Sequence, residues 1–304
     1  MNNNQKFTGI LCASVSVFLW GITFVCTKYL LRSFSAYEIL VLRFILAYLT
    51  LLISNPAKLR LNKRRDEFLF ALAGFTGVTA YQFMENMAIS YTSASNVSVI
   101  VSICPMFTAI FMQIFYREQQ LTRYFIAGFI IAIAGIFLVS FNGVIELHLS
   151  PKGDFLALAS ALSWGFYSLC IAKINDMGFK SILVTRRIFF WALIFMIPLA
   201  FFSPVNLSAD FNALRFTNPL NWLNLCFLGI GASAFCFAAW NIACENLGTV
   251  SATVGIYLIP VVTIIFAFFA LGEKISFMGA AGALLTIAGL FVSEIKIFRH
   301  NHGA

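Results

Sequence analysis

The sequence predicts an all-α membrane protein with ten transmembrane helices, arranged as two five-helix repeats of inverted topology. Of its 304 residues, 61% are hydrophobic and only 11% are charged, whereas soluble domains carry about 25% charged residues. The apolar residues form runs of about 20, the length that crosses a hydrocarbon core of about 30 Å. The two halves of the chain also share one pattern of residues, which indicates an internal repeat.

Ten apolar runs define the predicted helices. A segment in lipid must satisfy its own backbone hydrogen bonds, so a helix is the expected structure at this length. We expect Thr122 and Ser276 to cap the fifth and tenth helices, and Pro105 and Pro260 to kink the fourth and ninth. The predicted spans are 7–31, 35–54, 68–90, 95–116, 122–141, 153–174, 180–202, 220–243, 249–270 and 276–296.

The basic residues indicate the orientation of the chain. The net charge is +8, but Lys and Arg lie in short loops between apolar runs, which argues against a nucleic-acid-binding face. With the N-terminus in the cytoplasm, the positive-inside rule is met by twelve basic residues on the cytoplasmic side against four on the other. We predict a multi-pass protein of the cell inner (plasma) membrane with both termini cytoplasmic. The twelve are Lys6, Lys58, Arg60, Lys63, Arg64, Arg65, Arg117, Arg123, Lys173, Lys180, Lys296 and Arg299; the four are Arg32, Lys152, Arg215 and Lys274.

The two halves match at a nearly constant offset in residue number. The offset is 144 in the first two helices of each half and 155 from the third helix onward, and the extra residues fit in the loop near 202–221. Five is an odd number of crossings, so the repeats 1–148 and 149–304 enter the membrane from opposite faces, as in many secondary transporters. The matched pairs are Gly9/Gly153, Ser16/Ser160, Trp20/Trp164, Gly21/Gly165, Arg43/Arg187, Asn86/Asn241, Ala88/Ala243, Pro105/Pro260 and Glu118/Glu273.

Motifs in both halves carry a family resemblance. They are Trp20-Gly21 and Trp164-Gly165, Arg43 and Arg187, Pro105 and Pro260, the segment Ile-Ser-Tyr-Thr-Ser-Ala-Ser at 89–95, and Gly272-Glu273-Lys274. Because these motifs occur in this order and with this doubled spacing, the chain resembles the drug/metabolite transporter superfamily. It is similar specifically to the EamA-type transporters with two five-helix repeats. The chain departs from the pattern at 116–118, where Tyr-Arg-Glu lacks the glycine of the second half.

The resemblance implies a central cavity and a substrate class. It implies a ten-helix inverted-repeat fold with the cavity lined mainly by helices 1, 3, 4, 6, 8 and 9. It also implies transport of small organic metabolites, often amino-acid export, without fixing the substrate.

Two tryptophans near the middle of helices 1 and 6 are candidates for the cavity wall. Trp usually lies at the membrane interface, whereas Trp20 and Trp164 are near mid-span, where an indole N–H needs a partner or water. Trp20 shares one helix face with Ser16, Thr23 and Thr27. We predict that both tryptophans contact substrate; the alternative is helix packing.

Helix 3 carries one polar face. Tyr81, Gln82, Glu85 and Asn86 pair at i, i+4, and Glu85 is the only carboxylate well inside a predicted span. An ionisable group there is costly unless it faces protein, water or a partner. We predict that Glu85 binds a cationic substrate group or a coupling proton; the alternative is a structural hydrogen bond or ion pair. Further substrate-binding candidates are Tyr167, Trp240, Asn241 and Tyr257.

Arg43 and Arg187, with Pro105 and Pro260, are the predicted gating or hinge residues. For the two arginines, the alternatives are carboxylate binding, and side chains that extend to the membrane interface. Helices 5 and 10 carry glycines at i, i+7, which favours close helix packing within the chain over a homodimer interface; monomer and homodimer both remain open. The seven cysteines show no spacing typical of a disulfide framework or a zinc site.

These features predict a secondary transporter that moves a small organic metabolite by alternating access, with an amino acid or related compound exported. The alternative substrate is an organic cation such as choline, held by an aromatic box with Glu85. An intramembrane enzyme is the alternative of another class, but no catalytic constellation is present. A channel is disfavoured by the inverted repeat. We expect no cofactor and no metal.

Overall fold

Helices form nearly all of the regular structure in the computed structural model, which describes residues 3–61, 63–117, 120–141, 150–201, 214–271 and 277–300. In these ranges, seven helical stretches are long and apolar enough to cross a membrane, so the protein is an all-helical, multi-pass membrane protein. The seven are Asn4–Leu30, Ala36–Ser54, Ala94–Tyr116, Pro151–Asn175, Ser181–Leu199, Pro219–Leu247 and Thr249–Ala270.

The three remaining predicted spans are also helical. Residues 67–91 are helical throughout but carry the polar face of Gln82, Glu85 and Asn86. The fifth and tenth spans are Arg123–Phe141 and Phe277–His300, in which the side chains that the structure describes include the apolar stretches Arg123–Leu138 and Leu284–Ser293. The ten-span arrangement and the inverted repeat therefore stay predictions.

The helices are numbered in chain order. They are α1 Asn3–Leu30, α2 Ala36–Ser54, α3 Glu67–Ala73, α4 Tyr81–Tyr91, α5 Ala94–Val101, α6 Cys104–Tyr116, α7 Arg123–Phe141, α8 Pro151–Asn175, α9 Ser181–Leu199, α10 Leu214–Thr217, α11 Pro219–Cys226, α12 Cys236–Leu247, α13 Thr249–Val254, α14 Ile259–Leu271 and α15 Phe277–His300.

Two π-helical segments join neighbouring helices. Gly74–Ala80 connects α3 to α4, and Phe227–Phe235 connects α11 to α12. A Cβ on Gly74 would lie 2.6 Å from the Ile188 carbonyl oxygen of α9, and a Cβ on Gly229 would lie 2.7 Å from Leu46 of α2. Each π segment therefore packs closely on the second helix of the other half. π-helices are rare and occur frequently at functional sites.

The two prolines lie where a helix restarts. α5 ends at Val101, and Pro105 is in the first turn of α6. A 3₁₀ turn, Gly255–Leu258, precedes α14, where Pro260 is also in the first turn. A proline is tolerated there because the first N–H groups of a helix have no intrahelical partner. The predicted kinks take the form of interruptions just before each proline.

Helices α7 and α15 pack against each other through their glycines. An added Cβ on Gly128 would lie 2.6 Å from the Gly289 carbonyl oxygen, and one on Gly135 would lie 2.7 Å from the Gly282 carbonyl oxygen. These contacts allow the backbones to approach closely. The glycine stripe is thus covered within the chain, so a second copy could not use it.

Side-chain caps fix two of the helix starts. Thr122 accepts a hydrogen bond from the Phe125 amide at 3.2 Å, as predicted for α7. Ser35 and Glu38 form a reciprocal capping box at α2, which the sequence analysis did not identify. The predicted cap Ser276, the pair Glu118/Glu273, the motif at 272–274 and the repeat boundary at 148–149 lie outside the described residues.

Candidate functional site

A small cavity lies between helices of both halves of the chain. Its volume, counted as the space that the centre of a water molecule can reach, is about 20 Å³, which is room for about one water molecule. A free amino acid needs more space, so the cavity must widen before it can hold one. The lining residues are Trp20, Thr23, Phe24, Arg43, Tyr81, Gln82, Glu85, Trp164, Ile256 and Ile259.

Half of the predicted substrate-binding residues line this cavity. They are Trp20 from α1, Trp164 from α8, and Tyr81, Gln82 and Glu85 from α4. Their part in substrate binding stays a prediction, but the structure brings them together from distant parts of the sequence. The polar face of α4 and the mid-span tryptophans were the sequence signals that pointed here.

A cation and a carboxylate are both buried at the cavity wall. Arg43 is 1% exposed and Glu85 is 3% exposed. The Arg43 Nε donates to the Ser233 hydroxyl at 2.5 Å, and its Nη1 donates to the Gln82 Oε1 at 2.7 Å. Arg43 therefore does not extend to the membrane interface, and that interpretation of it is wrong.

Glu85 has a different set of neighbours. Its carboxylate is hydrogen-bonded by the Tyr81 hydroxyl and interacts electrostatically with Arg43. The hydrogen bonds of Arg43, however, go to Ser233 and Gln82. Buried charges require compensation because desolvation costs several kcal/mol per ion. The cavity thus presents two opposite charges that compensate each other electrostatically.

The two paired tryptophans differ in their hydrogen bonds. The Trp20 indole donates to the Ala232 carbonyl oxygen, in the second π segment, at 2.9 Å. The Trp164 indole nitrogen is buried and has no hydrogen-bond partner among the described residues, and the side chain is 2% exposed. Buried donors without a partner are rare in folded proteins. Trp164 therefore offers a hydrogen-bond donor beside the cavity.

Aromatic rings close one side of the cavity. The ring of Trp20 lies 5.5 Å from that of Trp164 and 4.9 Å from that of Trp240. Tyr81 and Tyr167 each lie 4.9 Å from Trp164. These separations are typical of favourable aromatic pairs. Trp240 and Tyr167 therefore contribute to the wall behind the cavity rather than to its lining.

The other predicted substrate-binding residues make contacts within the protein. Asn86 donates to the Ala36 carbonyl oxygen at 3.2 Å. Asn241 donates to the Thr185 hydroxyl at 2.8 Å and its side-chain oxygen accepts from the Tyr167 hydroxyl at 3.4 Å. These side chains tie helices together and do not line the cavity.

Tyr257 and three of the four gating or hinge candidates lie away from the lining, whereas Arg43 is part of it. Tyr257 is fully buried in a separate apolar cluster, where its ring lies 6.4 Å from that of Phe129. Arg187 forms a bidentate ion pair with Glu67, both distances being 2.7 Å. Neither Pro105 nor Pro260 is in the lining. The two matched arginines thus have different surroundings.

Apolar lining residues were missed by the sequence analysis. Phe24, Ile256 and Ile259 contact the cavity, and nothing distinguishes them from the many other apolar residues of the spans. The one sequence feature that could have pointed to a lining residue was the position of Ile259 next to Pro260. In the part of the chain that the structure describes, no group of three His, Cys, Asp or Glu residues could hold a metal ion.

Comparison with known proteins shows one family over both halves. The family described as "EamA-like transporter family" matches residues 7–141 and again residues 151–294. A solved crystal structure, 17% identical, superposes with a TM-score of 0.72 and covers 98% of this chain and 99% of its own. At that identity the likeness concerns the fold alone.

Three curated relatives match along nearly their whole length. An uncharacterized transporter of Archaeoglobus fulgidus is 29% identical, over 94% of this chain and 97% of its own. A probable terminal-alkyne amino-acid exporter of Streptantibioticus cattleyicolor is 26% identical, over 91% and 90%. A probable amino-acid metabolite efflux pump of Salmonella typhimurium is 26% identical, over 96% and 95%. All three are named as transport proteins and none as an enzyme.

Proposed function

The chain belongs to the EamA-like transporter family and is a transporter, not an enzyme, and on that premise we propose that it exports an amino acid or a related zwitterion by alternating access. The observation that carries this proposal is the pair of opposite charges, Arg43 and Glu85, that are both buried at the cavity. The names of two relatives, an amino-acid exporter and an amino-acid metabolite efflux pump, support the substrate class.

The lining of the cavity matches the two ends of a zwitterion. Arg43 and the unpaired Trp164 indole can donate hydrogen bonds to a carboxylate. Such hydrogen bonds are stronger than those between two neutral groups, because the acceptor is charged. Glu85 is an acceptor for an ammonium group, and the face of Trp20 can add a cation–π contact. The substrate would thus satisfy the indole N–H that the protein leaves unpaired.

An organic cation is the second candidate, favoured by the tryptophan cluster beside Glu85. Such a cation would need a site with net negative charge or an aromatic cage. Arg43 lies in the same cavity and interacts electrostatically with Glu85, so the pair carries no net charge. This balance favours the zwitterion over the cation.

Alternating access fits the small size of the cavity. A cavity of about 20 Å³ is too small for an amino acid, so binding and release would require the surrounding helices to separate. The interruptions before Pro105 and Pro260 and the two π segments are the proposed hinges. The double family match supports the repeats 1–148 and 149–304, and two inverted repeats can exchange conformations around a fixed site.

The surroundings of the site also suggest its coupling and orientation. We propose that Glu85 also takes up a coupling proton when the ammonium group is absent, because a carboxylate buried in a membrane is costly even beside Arg43, which hydrogen-bonds to Ser233 and Gln82. The twelve-to-four distribution of basic residues supports cytoplasmic termini in the inner membrane. Gradients or exchange would supply the energy.

Ligand-dependent thermal unfolding of the purified protein tests this function. A ligand that binds the folded state stabilises it by mass action. We expect amino acids to raise the unfolding temperature of the wild type and of Glu245→Gln, an exposed carboxylate in α12, but not of Glu85→Gln. Stabilisation by quaternary amines alone would favour the second candidate. No response to any amino acid would contradict the proposal.

A further inference from the structure

Five basic residues are concentrated in one short connection. The segment 55–66, called the basic loop, joins α2 to α3 and carries Lys58, Arg60, Lys63, Arg64 and Arg65, all exposed. The positive-inside rule accounts for their sign but not for their concentration. The neighbouring connections on the same predicted side, near 117–123 and 173–180, carry two basic residues each.

The backbone of the basic loop is held against the protein. Arg186 of α9 donates hydrogen bonds to the carbonyl oxygens of Asn55 and Ala57. Leu59 and Leu61 pack against the main apolar core. The described part of the loop, which excludes residue 62, therefore turns its leucines inward and its cations outward.

The five cations have no ionic partner within the described residues. The ion pairs there join Arg187 to Glu67 and Arg215 to Glu38, and neither involves the loop. Glu67, the carboxylate at the start of α3, is already bound by Arg187 and by the Trp191 indole. The positive charge of the loop is therefore available to an external anion.

Apolar side chains border the loop at both ends. Ile53, near the end of α2, is 81% exposed, and Phe68, at the start of α3, is 68% exposed. In the predicted orientation, these side chains would contact acyl chains and the basic side chains would lie at headgroup level. A ligand that satisfies both has a hydrocarbon part and an anionic part.

We propose that the basic loop binds anionic phospholipid headgroups of the adjacent leaflet. Phosphate oxygens accept paired hydrogen bonds from Arg, and juxtamembrane clusters of Lys and Arg attract anionic lipids. The exposed Ile53 and Phe68 favour a lipid over a soluble phosphate. This site is separate from the cavity and does not depend on the identity of the transported substrate.

Native mass spectrometry of the purified protein, with phosphatidylglycerol and phosphatidylcholine added together, tests the proposal. The wild type should retain phosphatidylglycerol in preference. The variant K58Q/R60Q/K63Q/R64Q/R65Q should lose roughly tenfold or more of that preference, because each basic residue near an anionic surface contributes up to about a fivefold factor and full contributions from two of the five already exceed tenfold. The substituted side chains are exposed, so circular dichroism should show unchanged helix content.

A control variant separates this site from a general effect of charge. R117Q/R123Q/K173Q/K180Q removes four exposed cations from the other loops on the same predicted side and should keep the wild-type preference. An equal loss in both variants, or none in the loop variant, would overturn the proposal. Displacement of phosphatidylglycerol by inorganic phosphate or glycerol phosphate would identify a site for soluble anions and would overturn it as well.

Discussion

Trp164 is the residue whose hydrogen bonding leads to the most specific prediction about substrate binding. Trp20 and Trp164 occupy matched positions in the two halves, yet the Trp20 indole is bonded to Ala232 and the Trp164 indole is not. The first bond contributes to the folded structure. The second N–H is buried without a partner, and its side chain lines the same cavity as Arg43 and Glu85, so we propose that a substrate carboxylate accepts from it.

Replacing each tryptophan by phenylalanine separates these roles, because the ring is kept and the N–H is removed. Trp164→Phe should weaken amino-acid binding about tenfold to hundredfold, since a hydrogen bond to a charged group is worth about 1.5–3 kcal/mol. Trp20→Phe should instead lower the free energy of unfolding by about 0.5–1.5 kcal/mol. Calorimetric titration and thermal unfolding measure the two effects.

The reverse pattern would contradict this assignment. If Trp164→Phe bound amino acids as tightly as the wild type, the unpaired indole would have no part in recognition. The Trp20→Phe variant is the matched control, because it also lies in the cavity lining, keeps an aromatic face for the ammonium group and loses a hydrogen bond made within the protein.

At the residue scale, the sequence identified the charged residues of the site better than it identified the groups that they contact. Glu85 stood out as a carboxylate within a span, and the structure places it in the cavity lining. Arg43 could not be assigned from sequence, since a long side chain can reach the interface or turn inward. Asn86 and Asn241 were indistinguishable from lining residues because only the fold decides which polar atoms find partners in the protein.

At the scale of secondary-structure elements, the two π segments have the clearest consequence for packing. Gly74–Ala80 and Phe227–Phe235 lie next to α4 and α12, and the first leads directly into Tyr81, Gln82 and Glu85. Gly77 lies against the ring of Tyr167, so that an added Cβ would be 2.1 Å from it. The first π segment and α8 therefore fit together with no space for a methyl group.

Gly77→Ala should be destabilising and Gly231→Ala should not. The Gly77 methyl would overlap the Tyr167 ring, and such overpacking costs about 1–3 kcal/mol. At Gly231, in the second π segment, the nearest atom to an added Cβ is 3.7 Å away, so the change should stay within about 0.5 kcal/mol. Thermal unfolding in one detergent compares the two variants; equal stability would show that α8 moves aside freely.

The sequence predicted helix positions well and helix irregularities poorly. Predicted spans such as 35–54 and 249–270 agree with Ala36–Ser54 and Thr249–Ala270 to within a residue. Hydrophobic length and turn residues define such ends. The π segments were not predicted, because close packing of Gly74 on α9 and Gly229 on α2 accompanies them, and tertiary contacts are not visible in one sequence.

At the scale of the whole molecule, the two halves supply different chemistry to one site. The positions matched to Gln82 and Glu85 at an offset of 155 are Phe237 and Trp240, which belong to the aromatic cluster. The first half thus contributes both charged groups of the lining, Arg43 and Glu85, whereas the second half has aromatic rings at the positions matched to Gln82 and Glu85. The repeat pattern predicted the matched positions; the difference in chemistry follows from the side chains themselves.

The central claim is that this cavity carries an amino acid across the membrane, and counterflow in proteoliposomes tests it most directly. Vesicles loaded with an unlabelled amino acid should take up the same labelled compound faster with wild type or Glu245→Gln than without protein. Glu85→Gln should abolish the acceleration. Uptake no faster than in protein-free vesicles for every amino acid, or full activity in Glu85→Gln, would contradict the account.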